Sequence, residues 1–234
     1  RRVLFRSASM GPATARSFIL VTPDGERTMN TFLGACQNLG SDDIDPHTVE
    51  QAAVTYLEGY LWDPEAAKDA FRKAASIAHA AGRKVSLTLS DGFCVDRYRD
   101  EFRALITNGT IDILFANEHE LKSLYTTSDF DSAIKALHEE GPLAVVTRSS
   151  AGSVVVDHDG VIAVPAEPID KLVDTTGAGD LFAAGFLLGH VRGLAHYDAA
   201  RLGSIAAAEI IQHIGARPEE RLKDLAQEKG LTIS

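Results

Sequence analysis

A parallel β-sheet covered by helices on both faces is the fold class that this 234-residue sequence predicts. Two observations carry the prediction. From about residue 53 onward, short apolar runs of strand length alternate with longer stretches of helical character, the order that builds a parallel sheet with helices on its faces. Gly and Pro punctuate the chain throughout, with no repeat and no low-complexity tract, which excludes a solenoid or a linker-rich chain. The composition agrees, since 45% hydrophobic and 24% charged residues is ordinary for a globular protein. The length suits one large domain or two small ones.

Each element has a local reason. Residues 17–22 and 27–32 read as two strands joined by Pro23-Asp24-Gly25-Glu26, a hairpin signal. A strand over 53–58 precedes an Ala- and Lys-rich helix over 64–81, closed by Gly82. A strand over 84–90 leads to a helix over 96–107, and a third strand over 111–116 leads to a helix that begins near Asn117. Residues 143–147 form a fourth strand. Residues 152–157 and 160–165 form a hairpin about Asp157-His158-Asp159-Gly160. The last third is helical, over 177–192, 196–213 and 218–229. Ligands on such sheets sit beyond the carboxyl ends of the strands, so motifs are sought at strand-to-helix turns.

Charge and cysteine content narrow the function classes. With 23 Lys+Arg against 33 Asp+Glu the net charge is −10, which argues against a nucleic-acid partner, because phosphate binding needs clustered basic residues. Two cysteines, Cys36 and Cys94, are too few for a disulfide framework and favour a reducing, cytoplasmic setting. No run approaches the 18 apolar residues of a membrane span, so no membrane partner is expected. The opening RRVLFRSASM is basic but lacks the apolar core of a secretory signal. The start at Arg1 reads as that of a fragment. No Cys/His cluster has zinc spacing.

The strongest chemical signal is Asp174-Thr175-Thr176-Gly177-Ala178-Gly179-Asp180, which runs into the apolar helix Leu181-Phe182-Ala183-Ala184-Gly185-Phe186. Two glycines and an alanine at a helix start allow close approach of a ligand to unpaired backbone N–H groups. With the positive end of the helix dipole, these donors form an anion site. An Asp directly after the donors would repel a bound phosphate. It fits if a substrate hydroxyl lies between them, with Asp180 taking its proton while the N–H groups steady the transferring phosphoryl charge. The competing account is a Gly-rich turn whose Asp complements the dipole. Neither G-x-x-x-x-G-K-[ST] nor G-x-G-x-x-G is satisfied, the second failing at Phe182.

This heptapeptide and the small-residue helix after it resemble the C-terminal signature of the ribokinase/PfkB family of carbohydrate and nucleoside kinases. The resemblance implies a three-layer α/β/α sandwich with a mostly parallel central sheet and a small β lid. It implies MgATP as donor, a primary hydroxyl as acceptor and K+ as a candidate further ion. Carried over, Asp180 corresponds to the catalytic base, and Gly177, Ala178 and Gly179 to the anion hole, with Thr176 beside it. Asn117-Glu118-His119-Glu120 resembles the family's N-x-x-E motif, which assigns Asn117 to the nucleotide and Glu120 to magnesium. Residues 145–153 resemble the nucleotide-holding strand and loop, with Thr147, Ser149 and Gly152 as its contacts. Gly215-Ala216-Arg217-Pro218 falls where the family closes the adenine pocket, and Ser204, by its distance before Gly215, is a candidate to face the base. The motifs keep the family's order over about residues 17–225.

Taken alone, several of these residues have plainer accounts. Asn117 and Glu120 have the spacing of a capping box, and one helical turn makes the capping and metal roles compatible. Ser149 and Gly152 read as turn residues. Ser204 reads as a small residue in a packed helix, and His213 as a boundary histidine. The family's N-terminal substrate Asp and Gly-Gly motif are not found, so the expectation is a member whose first strands are missing. On that expectation residues 1–34 are a remnant of the lid and N-terminal region, 35–234 are the nucleotide-binding core, and the chain alone lacks acceptor-dependent turnover. The lid segment 22–35 and residues 56–62 resemble bacterial adenosine-kinase-like and sugar-kinase members. The leading expectation is a nucleoside kinase making AMP from adenosine. The alternatives are a kinase of ribose or fructose and an inactive nucleotide-binding fragment.

Overall fold

The computed structural model describes residues 11–233, so the basic opening segment lies outside the described residues. Two antiparallel strands come first, β1 (Arg16–Val21) and β2 (Arg27–Phe32), paired from Arg16↔Phe32 to Val21↔Arg27. They form a separate two-stranded sheet, the small lid expected from residues 17–32. Short 3-10 turns and helix α1 (Pro46–Gln51) lead into the main sheet. That sheet has six strands in chain order: β3 (Val54–Glu58), β4 (Lys84–Thr88), β5 (Ile113–Asn117), β6 (Leu143–Thr147), β7 (Ser153–Asp157) and β8 (Gly160–Val164). Strands β3 to β6 pair parallel, while β6–β7 and β7–β8 pair antiparallel. This is the α/β class that the alternation predicts.

Helices α2 (Glu65–Ala80), α3 (Gly92–Thr107), α4 (Glu118–Leu124) and α5 (Phe130–Glu140) cover one face, and α6 (Ala178–Val191) and α7 (His196–Ile210) the other. The short α8 (Leu222–Glu228) packs on α7 through Ala226. Strand β5 shows how the sequence sorts the two faces. Leu114 and Ala116 pack with Phe71, Phe102 and Leu121, whereas Ile113 and Phe115 pack with Phe182 and Phe186. Because both faces are covered, the strands read as continuous apolar runs rather than as alternating ones.

Several boundaries differ from the sequence reading. Helix α3 starts at Gly92 rather than near 96, because Asp91 caps it by accepting the Phe93 N–H at 2.7 Å. Its backbone departs from helical geometry at Tyr98, which hides the periodicity of the first turn. The stretch after Asn117 is two helices. Helix α5 has its own N-cap, Asp129 accepting from the Ser132 N–H, and its own stop at Gly141 with φ 84°. Helix α7 ends at Ile210 and α8 begins only at Leu222, leaving a loop over 211–221. Among the described residues no helix is long and apolar enough to cross a membrane.

Helices α6 and α7 touch through their backbones. A Cβ on Gly185 would lie 2.8 Å from both Gly203 Cα and the Leu202 carbonyl oxygen, and one on Gly203 would lie 2.7 Å from the Phe182 carbonyl oxygen. Replacing Gly185 by Ala gains about 1 kcal/mol of helix propensity. The new methyl group, however, meets backbone that cannot yield, an overpacking cost of typically 1–3 kcal/mol. Gly185→Ala is therefore expected to lower the denaturation midpoint. An unchanged or higher midpoint in urea would show that the two helices are free to part.

Candidate active site

The carboxyl edge of the main sheet gathers the polar residues. Glu58 at the end of β3 is in register with Thr88 at the end of β4, and Asn117 at the end of β5 with Thr147 at the end of β6. Thr147 pairs in turn with Ser153, which brings the loop carrying Ser149 and Gly152 to the same edge. That loop is tight. The Arg148 N–H donates to the Gly152 carbonyl at 2.7 Å, Ser149 has φ 50°, and Gly152 is buried at φ 86° against the end of β8.

The turn 174–180 builds the start of α6. Gly177 is the N-cap, at φ 83°. A Cβ there would sit 3.1 Å from Ala216 Cβ, so this glycine is needed both for its left-handed backbone and for the close approach of the 211–221 loop. Among the described residues, the N–H groups of Gly177, Gly179 and Asp180 make no backbone hydrogen bond. The Ala178 N–H differs from expectation: it donates to the Thr175 carbonyl oxygen at 3.2 Å, so the free donors are those of Gly177, Gly179 and Asp180. Thr176 is buried. Asp174 is buried and grips both sides of the turn, accepting the Thr176 N–H at 2.9 Å and the Gly215 N–H at 3.0 Å. Burial favours its neutral form, yet the Thr176 hydroxyl, the two N–H groups and the charge of Arg27 hold its carboxyl below the ordinary value.

Asp180 stands at the rim, open to solvent on one side. Partial burial holds its carboxyl above the ordinary value, and Arg27 acts in the opposite direction. Arg27 comes from the lid and donates from Nη1 to Thr175 Oγ1 at 2.7 Å, while the Thr175 N–H reaches the Gly25 carbonyl at 3.4 Å. The lid turn is thereby fastened to the 174–180 turn. Glu58, at the end of β3, lies close enough to Asp180 for their charges to interact. Its carboxyl is raised, mainly by burial and also by the charge of Asp180, although it accepts from Ser90 Oγ at 3.1 Å. Ser90 is itself held at φ 67°, an uncommon conformation for a residue with a side chain. Arg27, Glu58 and Asp91 were not singled out from sequence. They lie in different elements, and no local pattern marks them.

Asn117 and Glu120 form the capping box that their spacing predicts. The Asn117 N–H and Nδ2 donate to the two Glu120 carboxylate oxygens at 2.9 and 2.7 Å, and the Glu120 N–H donates to Asn117 Oδ1 at 2.8 Å. Burial pushes the Glu120 carboxyl up to about 7, with the charges of Asp91 and Glu58 adding to the effect. A carboxylate buried beside two others is costly unless a cation joins them. Ser204 is buried within α7. His213 is not a free boundary residue, because its Nε2 is 3.2 Å from Glu209 Oε1.

Glu120 gives two expected outcomes. In metal-free protein its folded pKa of about 7 lies above the ordinary 4.5, so the folded state holds its proton more firmly. Its contribution to stability is therefore full below pH 4.5 and is lost as pH rises through about 7. Denaturation in a chelating buffer from pH 5 to 8 should show that slope, and Glu120→Gln should flatten it. If this carboxylate supports a magnesium ion, Glu120→Gln is also expected to weaken Mg2+ binding, titrated directly, by roughly 10–100-fold as for lost support at a metal site. Unchanged magnesium binding with a loss of about 1 kcal/mol or less would mean that Glu120 is only a cap.

Comparison with known proteins bears on this edge. Residues 10–221 match the pfkB family of carbohydrate kinases. The chain belongs to that family. An adenosine kinase from Sinorhizobium meliloti is 52% identical in sequence and superposes with a TM-score of 0.92, over 94% of this chain and 68% of that one. A probable sugar kinase from Rhizobium etli is 51% identical with a TM-score of 0.91, over 93% of this chain and 66% of that one. Adenosine kinase of Saccharomyces cerevisiae is 28% identical over 84% of this chain and 61% of its own length. The chain thus spans about three-fifths to two-thirds of these relatives. As a pfkB family member it has the ribokinase-like fold, a mostly parallel six-stranded sheet between helical layers with a small antiparallel lid.

Proposed function

We propose that this chain is the core of a MgATP-dependent kinase that transfers the γ-phosphoryl group to a primary hydroxyl of a nucleoside, adenosine to AMP being the leading choice. The observation that carries the reading is the start of α6, where free N–H groups stand beside a carboxylate whose proton affinity burial has raised. The residues fit the donor. Among the described residues, three N–H groups at the start of α6 make no backbone hydrogen bond and offer themselves to an anion.

On this reading Asp180 accepts the acceptor hydroxyl's proton, while the N–H groups of Gly177, Gly179 and Asp180 and the Arg27 guanidinium face the charge that develops on the phosphoryl oxygens. Glu120, with Asp91 near it, would hold magnesium through water, and Asn117, Thr147, Ser149, Gly152 and Gly215 would line the nucleotide. When bound, magnesium neutralises phosphate charge and orients the γ-phosphoryl group. Glu58 and Arg27 confront Asp180 from the other side, where the acceptor would lie.

The likeness to the Rhizobium etli protein is as close as that to the adenosine kinase, which favours a sugar acceptor as the second reading. The test is ATP consumption by the complete reading frame with adenosine, ribose and fructose in turn, with and without KCl. ADP release that depends on adenosine supports the proposal. Release only with a sugar selects the second reading, and no release with any of the three overturns both.

A further inference from the structure

Between α7 and α8 the loop over residues 211–220 carries Gly215, and on the kinase reading above, on which this inference rests, it closes the base end of the nucleotide pocket. The loop is tied to the catalytic turn at two places. The Ile211 carbonyl oxygen accepts the Val173 and Asp174 N–H groups at 2.8 and 3.3 Å, and Asp174 accepts the Gly215 N–H at 3.0 Å. Its far end is held by one side chain from the last turn of α7. Glu209 Oε1 accepts the N–H groups of Glu219 and Glu220 at 2.8 and 3.0 Å and lies 3.2 Å from His213 Nε2. A carboxylate only accepts, so that His213 nitrogen carries the proton.

We infer that Glu209 is a positioning residue for nucleotide binding, setting the 211–220 loop in the place where its backbone meets the donor. Glu209 is 7% exposed, and its second oxygen, Oε2, is buried with no partner among the described residues. Stability alone does not account for such a residue. A half-satisfied buried carboxylate is a poor choice beside an apolar side chain, which would lie next to Ile205 one turn earlier on the same helix. What only an acceptor can do here is take up two consecutive N–H groups just beyond Pro218, ten and eleven residues along the chain, and so fix where the loop ends. A loop fastened at its start, middle and end has one conformation available, and affinity falls in proportion when the competent conformation is only partly populated.

The test uses the full chain, MgATP as the probe, and amide hydrogen exchange. Glu209→Ala is expected to weaken MgATP binding roughly tenfold through loss of the ordered loop, with faster exchange at Glu219 and Glu220. Glu209→Gln keeps an oxygen for both N–H groups and is expected to restore binding to within about threefold of the parent. Should Glu209→Ala fail to fold, Glu209→Asp, whose carboxylate falls one methylene short, is expected to weaken binding in the same direction. In the complete reading frame the KM for ATP should rise while kcat and the acceptor KM stay near the parent values, a split that a merely stabilising residue would not produce. A parent chain that binds no MgATP overturns the kinase reading itself. A parent that binds, with a folded Glu209→Ala that binds equally well, or with Glu209→Gln no better than Glu209→Ala, overturns this inference alone.

Discussion

Asp180→Asn is expected to lower acceptor-dependent phosphoryl transfer by about 10²–10⁴-fold, the range for a lost general base. The substitution keeps size, leaves the backbone N–H of residue 180 in place and removes only basicity. On the kinase reading MgATP binding should therefore change little, because the backbone N–H donors of the turn stay in place. Single-turnover transfer measured in the complete reading frame, beside nucleotide affinity, separates the two effects. Near-normal transfer would show that Asp180 serves only the helix dipole, the plainer account of an acid at an N-terminus.

The second large effect is expected at Gly177. An alanine there must hold φ near 83° and place its methyl group 3.1 Å from Ala216 Cβ. The left-handed conformation costs roughly 1–2 kcal/mol, and relieving the contact means moving either the 211–221 loop or the free N–H groups. Loss of one well-aimed donor in an anion hole typically costs 10²–10³-fold in turnover, and Gly177→Ala should fall in that range. Unlike Asp180→Asn, it should also weaken MgATP binding. If the variant is less stable yet transfers and binds normally, the turn is a structural feature and the anion hole lies elsewhere.

The two sites differ in how they could be read. Everything needed to locate the start of α6 lies within seven consecutive residues, because a left-handed glycine and a helix N-terminus are local features. The capping box is likewise local, with its two residues three apart. Arg27, Glu58 and Asp91 carry no such mark. Arg27 meets Thr175 148 positions away, and Glu58 meets Ser90 across 32. Glu209 sits in an apolar helix and finds its partners only after the chain turns back at Pro218. Helix α1 has six residues, too few to show a period, and α5 is not distinguished in sequence from the helix that begins near Asn117, although Asp129 and Gly141 mark both its ends. The strands of the main sheet are legible because both faces of the sheet are covered, so each reads as a short apolar run.

The backbone contact between α6 and α7 has a further consequence. With no layer of side chains between Gly185 and Gly203, the two helices have little freedom to slide or tilt by changing rotamers. One end of the pair presents the turn at Gly177, and Glu209 fixes the loop that leaves the other helix. On the kinase reading the pair is a ruler whose two marks, the turn at Gly177 for the phosphoryl groups and the loop at Gly215 for the base, are held at one end and at a fixed separation. A change of acceptor would leave that ruler untouched, since Glu58 and Arg27 belong to the preceding part of the chain.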